Sequence, residues 1–354
     1  MPRWTDARLA RAVIAWFARA RRDLPWRTVP RDPYAALVSE AMLQQTQVAR
    51  VQEAFVAFVR AFPDLAALAA AREQDVLAAW RGLGYYRRAR LLHAAARAVV
   101  ARHGGHIPDD PAALRALPGL GRYSAGAIAS IAFARPVPAV DGNVQRVLMR
   151  LEARAGEHGS RASLAWAWER AGALVRAAPA GRAGDLNEGL IELGATRCVP
   201  RGPDCARCPL RAPCLARARA LTDRIPAPRA RVRVAAVGCA SVLVRDPRGR
   251  VLVERRPDEG MWGGMWQLPT LEVAGRAPTR AAVEAWIGRP VRRVGAFGHA
   301  TTHRAVRFVV YAAAVDGASP PGGPLARRWV TPAALDRLPH SNAAARAFAL
   351  ASRS

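Results

Sequence analysis

Four cysteines near the middle of the chain constrain its fold more strongly than any other feature. Cys198, Cys205, Cys208 and Cys214 follow the spacing C-x6-C-x2-C-x5-C. A proline-interrupted loop this short can surround one metal centre, and soft thiolate ligands select an iron–sulfur cluster or zinc. Disulfides are the alternative, but they are typical of small secreted domains, and this 354-residue chain shows no recognisable export signal. Cys239 stands apart in an apolar run and is predicted to be an inert core thiol.

The charge of the chain predicts a polyanionic partner. Its 54 basic residues are all arginine and its acidic residues number 27, which gives a formal net charge of +27. A GC-rich genome can explain arginine in place of lysine, but it does not explain the excess of positive over negative charge. Nucleic acid is therefore predicted in preference to a membrane. Because no apolar stretch of 18 residues occurs, we expect no bilayer-spanning helix and a cytoplasmic, bacterial, nucleoid-associated protein.

The periodicity of apolar residues divides the sequence into two predicted domains. Helical spacing runs to about residue 222, and Asp32 followed by Pro33 predicts the start of a helix that continues to about Phe58. A proline-rich segment, 223–233, is predicted to be a linker. Strands are then predicted at 234–244, 251–255, 291–297 and 307–313. We therefore predict a mainly α domain (1–222) and an α+β domain (234–354).

Three motifs together resemble one enzyme family. Residues 117–122 (Leu-Pro-Gly-Leu-Gly-Arg) predict a tight hairpin between two helices, in which Gly119 and Gly121 let backbone amides approach a phosphate. An aspartate, Asp141, follows 20 residues beyond Gly121, and the cysteine loop (198–214) comes next. This combination resembles the helix-hairpin-helix DNA glycosylases that carry a 4Fe–4S cluster, and the resemblance favours that cluster over zinc.

Two further runs narrow the resemblance. Residues 39–47 (Ser-Glu-Ala-Met-Leu-Gln-Gln-Thr-Gln) and 82–86 (Gly-Leu-Gly-Tyr-Tyr) are similar to runs of the MutY family, which removes adenine mispaired with 8-oxoguanine. The resemblance covers nearly the whole chain. It implies double-stranded DNA with an A:8-oxoguanine or A:G mispair as the partner and base-excision repair as the function. We expect a monomer, and the sequence is silent on protein partners.

The resemblance implies that two carboxyl groups carry the reaction. Cleaving adenine from deoxyribose needs a proton donor at the base and negative charge near the cationic sugar. In the family the residue matching Glu40 protonates adenine N7 and handles the water, and the one matching Asp141 faces the sugar. Residues matching Tyr123 and Asn143 hold these carboxyl groups in place. Because Glu40 falls within an apolar helix, burial is expected to raise its pKa. Considered alone, Glu40 could pair with an arginine and Asp141 could be a helix N-cap.

The absence of lysine predicts a monofunctional enzyme. Bifunctional members of the superfamily carry a lysine after the Gly-Arg of the hairpin, and this lysine forms a Schiff base with the sugar. This chain has Tyr123 at that position and no lysine anywhere. A Schiff base needs an amine, so only the terminal amine could support a slow residual lyase.

Further residues are implied to extrude adenine and hold the partner strand. Gln45 and Tyr85 match family residues that wedge into the stack around 8-oxoguanine, and Arg27 and Glu188 match residues that line the adenine pocket. Each could instead be a surface or packing residue. A monovalent cation is implied at the hairpin. Arginines around the cysteine loop are predicted to contact phosphates, and the cluster is predicted to position that loop. They are Arg197, Arg201, Arg207, Arg211 and Arg217.

The second domain resembles a Nudix fold at residues 251–257 and 263–269. A Nudix hydrolase would follow with paired glutamates that bind magnesium, but residues 275–284 contain no such acid cluster, so we expect lesion recognition in place of nucleotide hydrolysis. The family reads 8-oxoguanine through a Phe-Ser-His loop, which Thr301, Thr302 and His303 match here. Thr302 keeps the hydroxyl and His303 the imidazole, whereas Thr301 replaces an aromatic, a departure that bears on lesion discrimination.

Two other functions compete with this interpretation. An endonuclease III-like pyrimidine glycosylase with lyase activity is disfavoured by the missing lysine and by the C-terminal domain. A DNA-binding iron–sulfur protein whose glycosylase site has decayed is disfavoured because Glu40 and Asp141 are both present.

Overall fold

The computed structural model describes residues 4–227, 234–301, 303–314, 325–335 and 338–351. The chain divides into two compact units, each continuous in space but not in sequence. The helical unit contains Met1–Ala70 and Arg90–Ala230, and the mixed unit contains Ala71–Ala89 and Arg231–Ser354. The mixed unit therefore includes a segment from the N-terminal part of the chain. Thr302, one of the predicted lesion-recognition residues, and residues 228–233 of the predicted linker lie outside the described residues.

Helices and strands follow one another in chain order as the periodicity predicts. The described α-helices are α1 (Asp6–Ala20), α2 (Pro33–Leu43), α3 (Val48–Ala61), α4 (Leu65–Ala70), α5 (Glu73–Ala79), α6 (Arg87–His103), α7 (Pro111–Arg115), α8 (Arg122–Phe133), α9 (Gly142–Leu151), α10 (Arg161–Arg176), α11 (Ala183–Thr196), α12 (Leu215–Ala218), α13 (Arg280–Ile287), α14 (Pro332–Leu335) and α15 (Asn342–Ala351). The described strands are β1 (Ala235–Arg245), β2 (Val251–Arg255), β3 (Trp266–Gln267), β4 (Thr270–Ala274), β5 (Arg292–Ala300), β6 (Arg304–Ala314) and β7 (Arg327–Val330). None of the described helices is long and apolar enough to cross a membrane.

Helix α1 shows how the core of the helical unit is built. Thr5 caps its start, with its hydroxyl oxygen accepting a hydrogen bond from the Arg8 amide at 3.3 Å. Buried apolar residues at helical spacing, Val13 and Phe17 among them, pack into a core shared with helices α9, α10 and α11. Gly189 of α11 makes this close approach possible, because a Cβ atom there would lie 2.7 Å from Val13 Cγ1. The N-terminal segment is thus an integral first helix.

The helix predicted from Pro33 to Phe58 is in fact two helices, so the sequence-based boundary was wrong. The start is as predicted, because Asp32 Oδ1 accepts a hydrogen bond from the Tyr34 amide at 2.8 Å. Helix α2 ends at Leu43 and α3 begins at Val48. Between them Gln45 adopts a left-handed backbone conformation with φ of 58°. Apolar spacing continues through the break, which is why periodicity alone did not reveal it.

The mixed unit is built on one sheet whose main path runs β3-β2-β1-β6-β5 among the described residues. The central pair, β1 and β6, is parallel, while β1 also pairs antiparallel with β2 and β4. Alternate residues of β1 enter two cores: Cys239 and Leu243 face the core that contains α15, whereas Val242 and Val244 face the core that contains α13. Burial on both faces explains the continuous apolar run in β1. The four predicted strands are present, whereas β3, β4 and β7 were not predicted.

The described end of the predicted linker is anchored to the helical unit. The Ala227 amide donates to the Gly156 carbonyl oxygen at 3.0 Å, and the His158 amide donates to the Ala227 carbonyl oxygen at 3.0 Å. This exchange forms a short parallel bridge between Glu157 and Ala227. The first part of the linker is therefore a fixed extension of the helical unit.

Candidate active site and cysteine loop

The predicted hairpin joins α7 to α8 and places Tyr123 in the first turn of α8. Gly119 has φ of 78°, and a Cβ atom there would lie 2.7 Å from Leu91 Cβ, so both conformation and space demand glycine. Gly121 is the N-cap residue of α8 and supplies no capping side chain. No described side chain caps the first amides of α8, an arrangement that suits an outside acceptor such as a phosphate.

Glu40 lies on α2 in a buried environment, with only 8% of its surface exposed. Its Oε2 atom is buried and has no hydrogen-bond partner among the described residues. Burial, the largest cause, and the nearby negative charge of Asp141 raise the pKa of Glu40 to about 8, while a hydrogen bond with Tyr123 opposes the shift. The site therefore favours the neutral, protonated form of Glu40, the direction that the apolar helix led us to expect.

Asp141 is the N-cap of α9 and is held by donors on both carboxylate oxygens. Oδ1 accepts a hydrogen bond from the Val144 amide at 2.7 Å, and Oδ2 accepts one from Asn143 Nδ2 at 2.9 Å. Burial raises the pKa of Asp141, but these hydrogen bonds and the charge of Arg146 oppose the rise. Arg146 in turn donates to Asn143 Oδ1 at 2.8 Å and so fixes the orientation of the Asn143 amide. The donors around Asp141 thus oppose the effect of burial on its pKa, whereas the buried Oε2 of Glu40 has no such donor among the described residues.

Arg27 and Glu188, both predicted to line the base pocket, form a buried ion pair with Arg27 Nε 2.9 Å from Glu188 Oε1. Arg31 also pairs with Glu188. On the other side, Arg27 Nη2 donates to Glu192 Oε2 at 3.0 Å. The negative charge of Glu188 contributes to the raised pKa of Glu40, which places Glu188 in the same electrostatic environment. Sequence reasoning missed Arg31 and Glu192, because among so many arginines no spacing singles out one ion pair.

The four cysteines of the loop line one cavity, together with four arginines and a few smaller side chains. The cysteines are not paired in disulfides. The arginines that share the cavity are Arg150, Arg197, Arg211 and Arg217. Within the described ranges, no group of three or more His, Cys, Asp or Glu side chains is arranged to hold a single metal ion. Four thiol groups around one cavity, with positive charge beside them, form a donor set suited to an anionic iron–sulfur cluster.

Arg150 is a buried residue that supports the cysteine loop and that sequence reasoning missed. Its guanidinium donates to the carbonyl oxygens of Val199 at 2.7 Å, Pro200 at 2.8 Å and Ile225 at 2.8 Å. Arg146, one turn earlier on α9, donates to the Cys198 carbonyl oxygen at 2.8 Å. Helix α9 therefore presents Asp141 at its start and holds the cysteine loop along its length.

The predicted wedge residues share an unusual backbone conformation, although they belong to different units. In the helical unit, exposed Gln45 has φ of 58°. In the mixed unit, Tyr85 has φ of 47° and is 47% exposed. A left-handed conformation is unfavourable for residues other than glycine, and such strain is concentrated at functional sites.

The β5–β6 hairpin of the mixed unit carries the described part of the predicted lesion-recognition loop. Thr301 closes this hairpin, because its Oγ1 accepts a hydrogen bond from the Arg304 amide at 3.0 Å. His303 is exposed beside it. Near the end of β5 the rings of His299 and Trp262 meet edge to face, with centroids 5.5 Å apart. Threonine at 301 thus has a structural role in the turn, and Trp262 is an aromatic neighbour that the sequence did not reveal.

Comparisons with known proteins agree with this architecture. Residues 38–170 match the model of the HhH-GPD superfamily of base excision DNA repair proteins, and residues 240–350 match that of the NUDIX domain. A structure of a thermostable thymine-DNA glycosylase superposes with a TM-score of 0.52 at 28% identity, covering 60% of this chain and 97% of that one. The fold and the site thus define a helix-hairpin-helix DNA glycosylase with a Nudix-like domain attached.

Curated relatives identify the family more narrowly. The adenine DNA glycosylase of Rattus norvegicus is 34% identical over 91% of this chain and 73% of its own length. The adenine DNA glycosylase of Mycobacterium tuberculosis is 44% identical over 56% of this chain and 64% of its own. The chain belongs to the adenine DNA glycosylase family, the MutY-type enzymes.

Proposed function

We propose that this chain is a monofunctional glycosylase that hydrolyses the N-glycosidic bond of adenine opposite 8-oxoguanine or guanine in duplex DNA. The observation that carries the proposal is the difference between two neighbouring carboxyl groups. Glu40 has a buried oxygen without a partner and a pKa near 8, whereas Asp141 accepts hydrogen bonds on both of its oxygens. The donors around Asp141 oppose the rise of its pKa, whereas the pKa of Glu40 is raised to about 8, so we assign the acid role to Glu40 and the anionic role to Asp141, the division of roles that glycoside cleavage requires.

In the proposed reaction, Glu40 donates its proton to N7 of the extruded adenine. The N-glycosidic bond breaks, its electron pair leaves with the base, and the sugar acquires oxocarbenium character. The ionised Glu40 then removes a proton from the water that adds to C1′, so the acid is regenerated. Tyr123, hydrogen-bonded to Glu40, holds the carboxyl group in place throughout.

Asp141 stabilises the sugar cation in this scheme. Its charge is fixed by the Val144 amide and by Asn143, so little reorganisation is needed when positive charge develops. Arg27 and Glu188 are proposed to line the adenine pocket, their buried ion pair providing a donor and an acceptor for the base edge. No lysine is present to form a Schiff base, which supports hydrolysis without strand cleavage.

The remaining proposed contacts serve DNA. Gln45 and Tyr85 are proposed to enter the stack around 8-oxoguanine, and Thr302 and His303 to read the lesion. Gly119 and Gly121 are proposed to bring the hairpin amides to a phosphate, where a monovalent cation assists. We assign these roles to a glycosylase domain (1–222), a linker (223–233) and a lesion-recognition domain (234–354), acting as a monomer in the bacterial cytoplasm.

A 4Fe–4S cluster is proposed at the four cysteines. Four thiol groups around one cavity are a donor set that suits such a cluster, and the resemblance to the glycosylase family favours the cluster over zinc. When bound, the cluster supplies a covalent crosslink among Cys198, Cys205, Cys208 and Cys214. It therefore fixes the loop and the arginines that it carries.

Single-turnover adenine release tests the proposed function. A duplex with one A:8-oxoguanine pair is incubated with excess enzyme, and free adenine and strand breaks are measured separately. We expect adenine release, and strand breaks only after alkali treatment. Strand cleavage without alkali would support the endonuclease III-like alternative, and binding without base release would support the decayed-site alternative.

The pH dependence of release should report the ionisation of Glu40. Because the reaction needs protonated Glu40 and the pKa is raised to about 8, the rate is expected to be level near neutral pH and to fall about tenfold per unit above pH 8. When the enzyme concentration is kept below the dissociation constant of the DNA complex, the pH profile of the release rate reports ionisation in the free protein. A rate that rises steadily through pH 9 would contradict the assignment of Glu40 as the acid.

Exposed arginines of the cysteine loop should contribute to the salt dependence of DNA binding. Arg201 and Arg207 are exposed, whereas Arg197 is already paired with Asp204 at 2.9 Å. The double variant Arg201→Ala/Arg207→Ala is expected to weaken binding and to reduce the slope of log affinity against log salt by about one for each phosphate that an arginine no longer neutralises. Arg60→Ala, exposed on α3, is the matched control. An unchanged slope in the double variant would show that these two arginines do not contact DNA phosphates.

A further inference from the structure

Tyr86 links the segment 71–89 to the C-terminal part of the mixed unit. Its hydroxyl donates a hydrogen bond to the His340 carbonyl oxygen at 2.8 Å, across 254 residues of sequence. Both residues are buried, each about 5% exposed. The hydrogen bond is therefore shielded from water, and its loss would leave a buried carbonyl oxygen without this donor.

The carbonyl group that accepts this bond is held firmly by its surroundings. The preceding residue, Pro339, accepts a hydrogen bond from the Trp266 amide of β3 at 2.9 Å. The following residue, Ser341, uses its hydroxyl oxygen to accept from the Ala344 amide of α15 at 3.1 Å. The His340 imidazole also packs edge-on against Phe348, with ring centroids 5.6 Å apart. The acceptor is thus a fixed point between the sheet and α15.

On the other side of the hydrogen bond lies a turn that presents Tyr85. Gly82, Gly84 and Tyr85 all have positive φ, of 90°, 71° and 47°. Trp80 Nε1 donates to the Gly84 carbonyl oxygen at 3.1 Å, and Arg88 donates to the same oxygen at 3.2 Å. The Arg88 guanidinium also lies 5.5 Å from the centroid of the Tyr85 ring. The buried side chains of Trp80 and Arg88 therefore hold the turn, while the side chain of Tyr85, the residue in the strained conformation, is exposed.

We propose that Tyr86 is a positioning residue, whose hydrogen bond to the His340 carbonyl holds Tyr85 in its left-handed conformation for insertion into DNA. The inference rests on the proposed function, since Tyr85 is a wedge only if the chain acts on duplex DNA. Residues 85 and 86 share a planar peptide group, so fixing Tyr86 at both its backbone and its hydroxyl restricts the conformations open to Tyr85. The C-terminal domain then contributes to the reaction through a backbone carbonyl, apart from any contact with the lesion.

The variant Tyr86→Phe removes only the hydroxyl group and tests the proposal. Tyr34→Phe is the matched control, because the Tyr34 hydroxyl makes the same kind of buried bond, to the Phe62 carbonyl oxygen at 2.7 Å, within the helical unit. Two readouts are measured on the full-length protein after active-site titration: single-turnover adenine release, and the fluorescence of 2-aminopurine placed beside 8-oxoguanine, which reports unstacking. We expect Tyr86→Phe to lower release about tenfold and to reduce the fluorescence increase, and Tyr34→Phe to change neither.

A double-mutant cycle separates positioning from general stability. If Tyr86 acts through Tyr85, then Tyr86→Phe has no further effect on either readout in a Tyr85→Ala background. Equal effects in both backgrounds, or wild-type behaviour of Tyr86→Phe, would overturn the proposal. Failure of the wild-type protein to release adenine would instead overturn the proposed function, and this inference with it.

Discussion

Replacing Glu40 with glutamine is expected to lower single-turnover adenine release by about 10³-fold, within the range that a general acid contributes. Glutamine keeps the size of the side chain but has no acidic proton to donate. Duplex affinity should change little, because Glu40 is buried on α2. The measurement is adenine release beside a gel-shift titration with the same duplex. Release within threefold of wild type would remove Glu40 from the mechanism.

The same substitution is expected to raise the free energy of unfolding at neutral pH. An unfolded chain ionises this glutamate near its ordinary pKa of 4.5, whereas the fold raises the pKa to about 8. Wild-type stability is therefore full below pH 4.5 and declines as pH rises towards 8, by about 3 kcal/mol at pH 7 relative to a neutral side chain. Urea unfolding should show that Glu40→Gln has a higher free energy of unfolding than the wild type at pH 7, and that this difference disappears at about pH 4. Glu53→Gln, exposed on α3, should show neither effect.

Asp141→Asn is the second change with a large expected effect. We expect it to lower single-turnover adenine release about 10²- to 10³-fold. The substitution removes the negative charge near the sugar. It also sets the new amide against Asn143, whose Nδ2 points to Asp141 because Arg146 holds its oxygen. Single-turnover release again measures the loss, and substrate binding should persist. Activity close to wild type would show that the charge of Asp141 does not act on the sugar.

A matched control distinguishes the charge of Asp141 from its capping role. Asp110 caps α7 in the same manner, accepting from the Ala113 amide at 2.9 Å, so Asp110→Asn tests the loss of a capping charge alone. We expect it to leave adenine release unchanged. In Asp141→Asn, moreover, the pKa of Glu40 should fall, because the charge of Asp141 contributes to raising it. The alkaline limb of any residual activity should accordingly move to lower pH.

Local patterns predicted much of the fold, and the exceptions have physical causes. Strand β2 and the start of α2 were found because an apolar run after a Pro-Arg-Gly turn (247–249) and an Asp-Pro cap are local signals. The end of α2 was missed because the left-handed conformation of Gln45 breaks a helix without any glycine or proline to mark it. Strand β3, two residues long, exists only through its pairing with β2 and could not be recognised in isolation.

The candidate site divides in the same way. Glu40, Asp141 and the four cysteines were identified from the sequence, because both residue type and spacing are informative in their motifs. Arg150 was invisible because it is one arginine among 54, and its importance comes from carbonyl oxygens distant in sequence. The asymmetry between the two carboxyl groups likewise depends on burial and donors that only the folded chain brings together. The assignment of roles to these residues remains a prediction.

The left-handed backbones of Gln45 and Tyr85 have a consequence for protein engineering. An L-residue in that conformation costs on the order of 1 kcal/mol, which glycine would avoid. A search for thermostabilising replacements would therefore select glycine at these two positions early. Each such gain in stability would remove a side chain proposed to contact the damaged strand. The more stable variant would therefore be expected to repair DNA less efficiently.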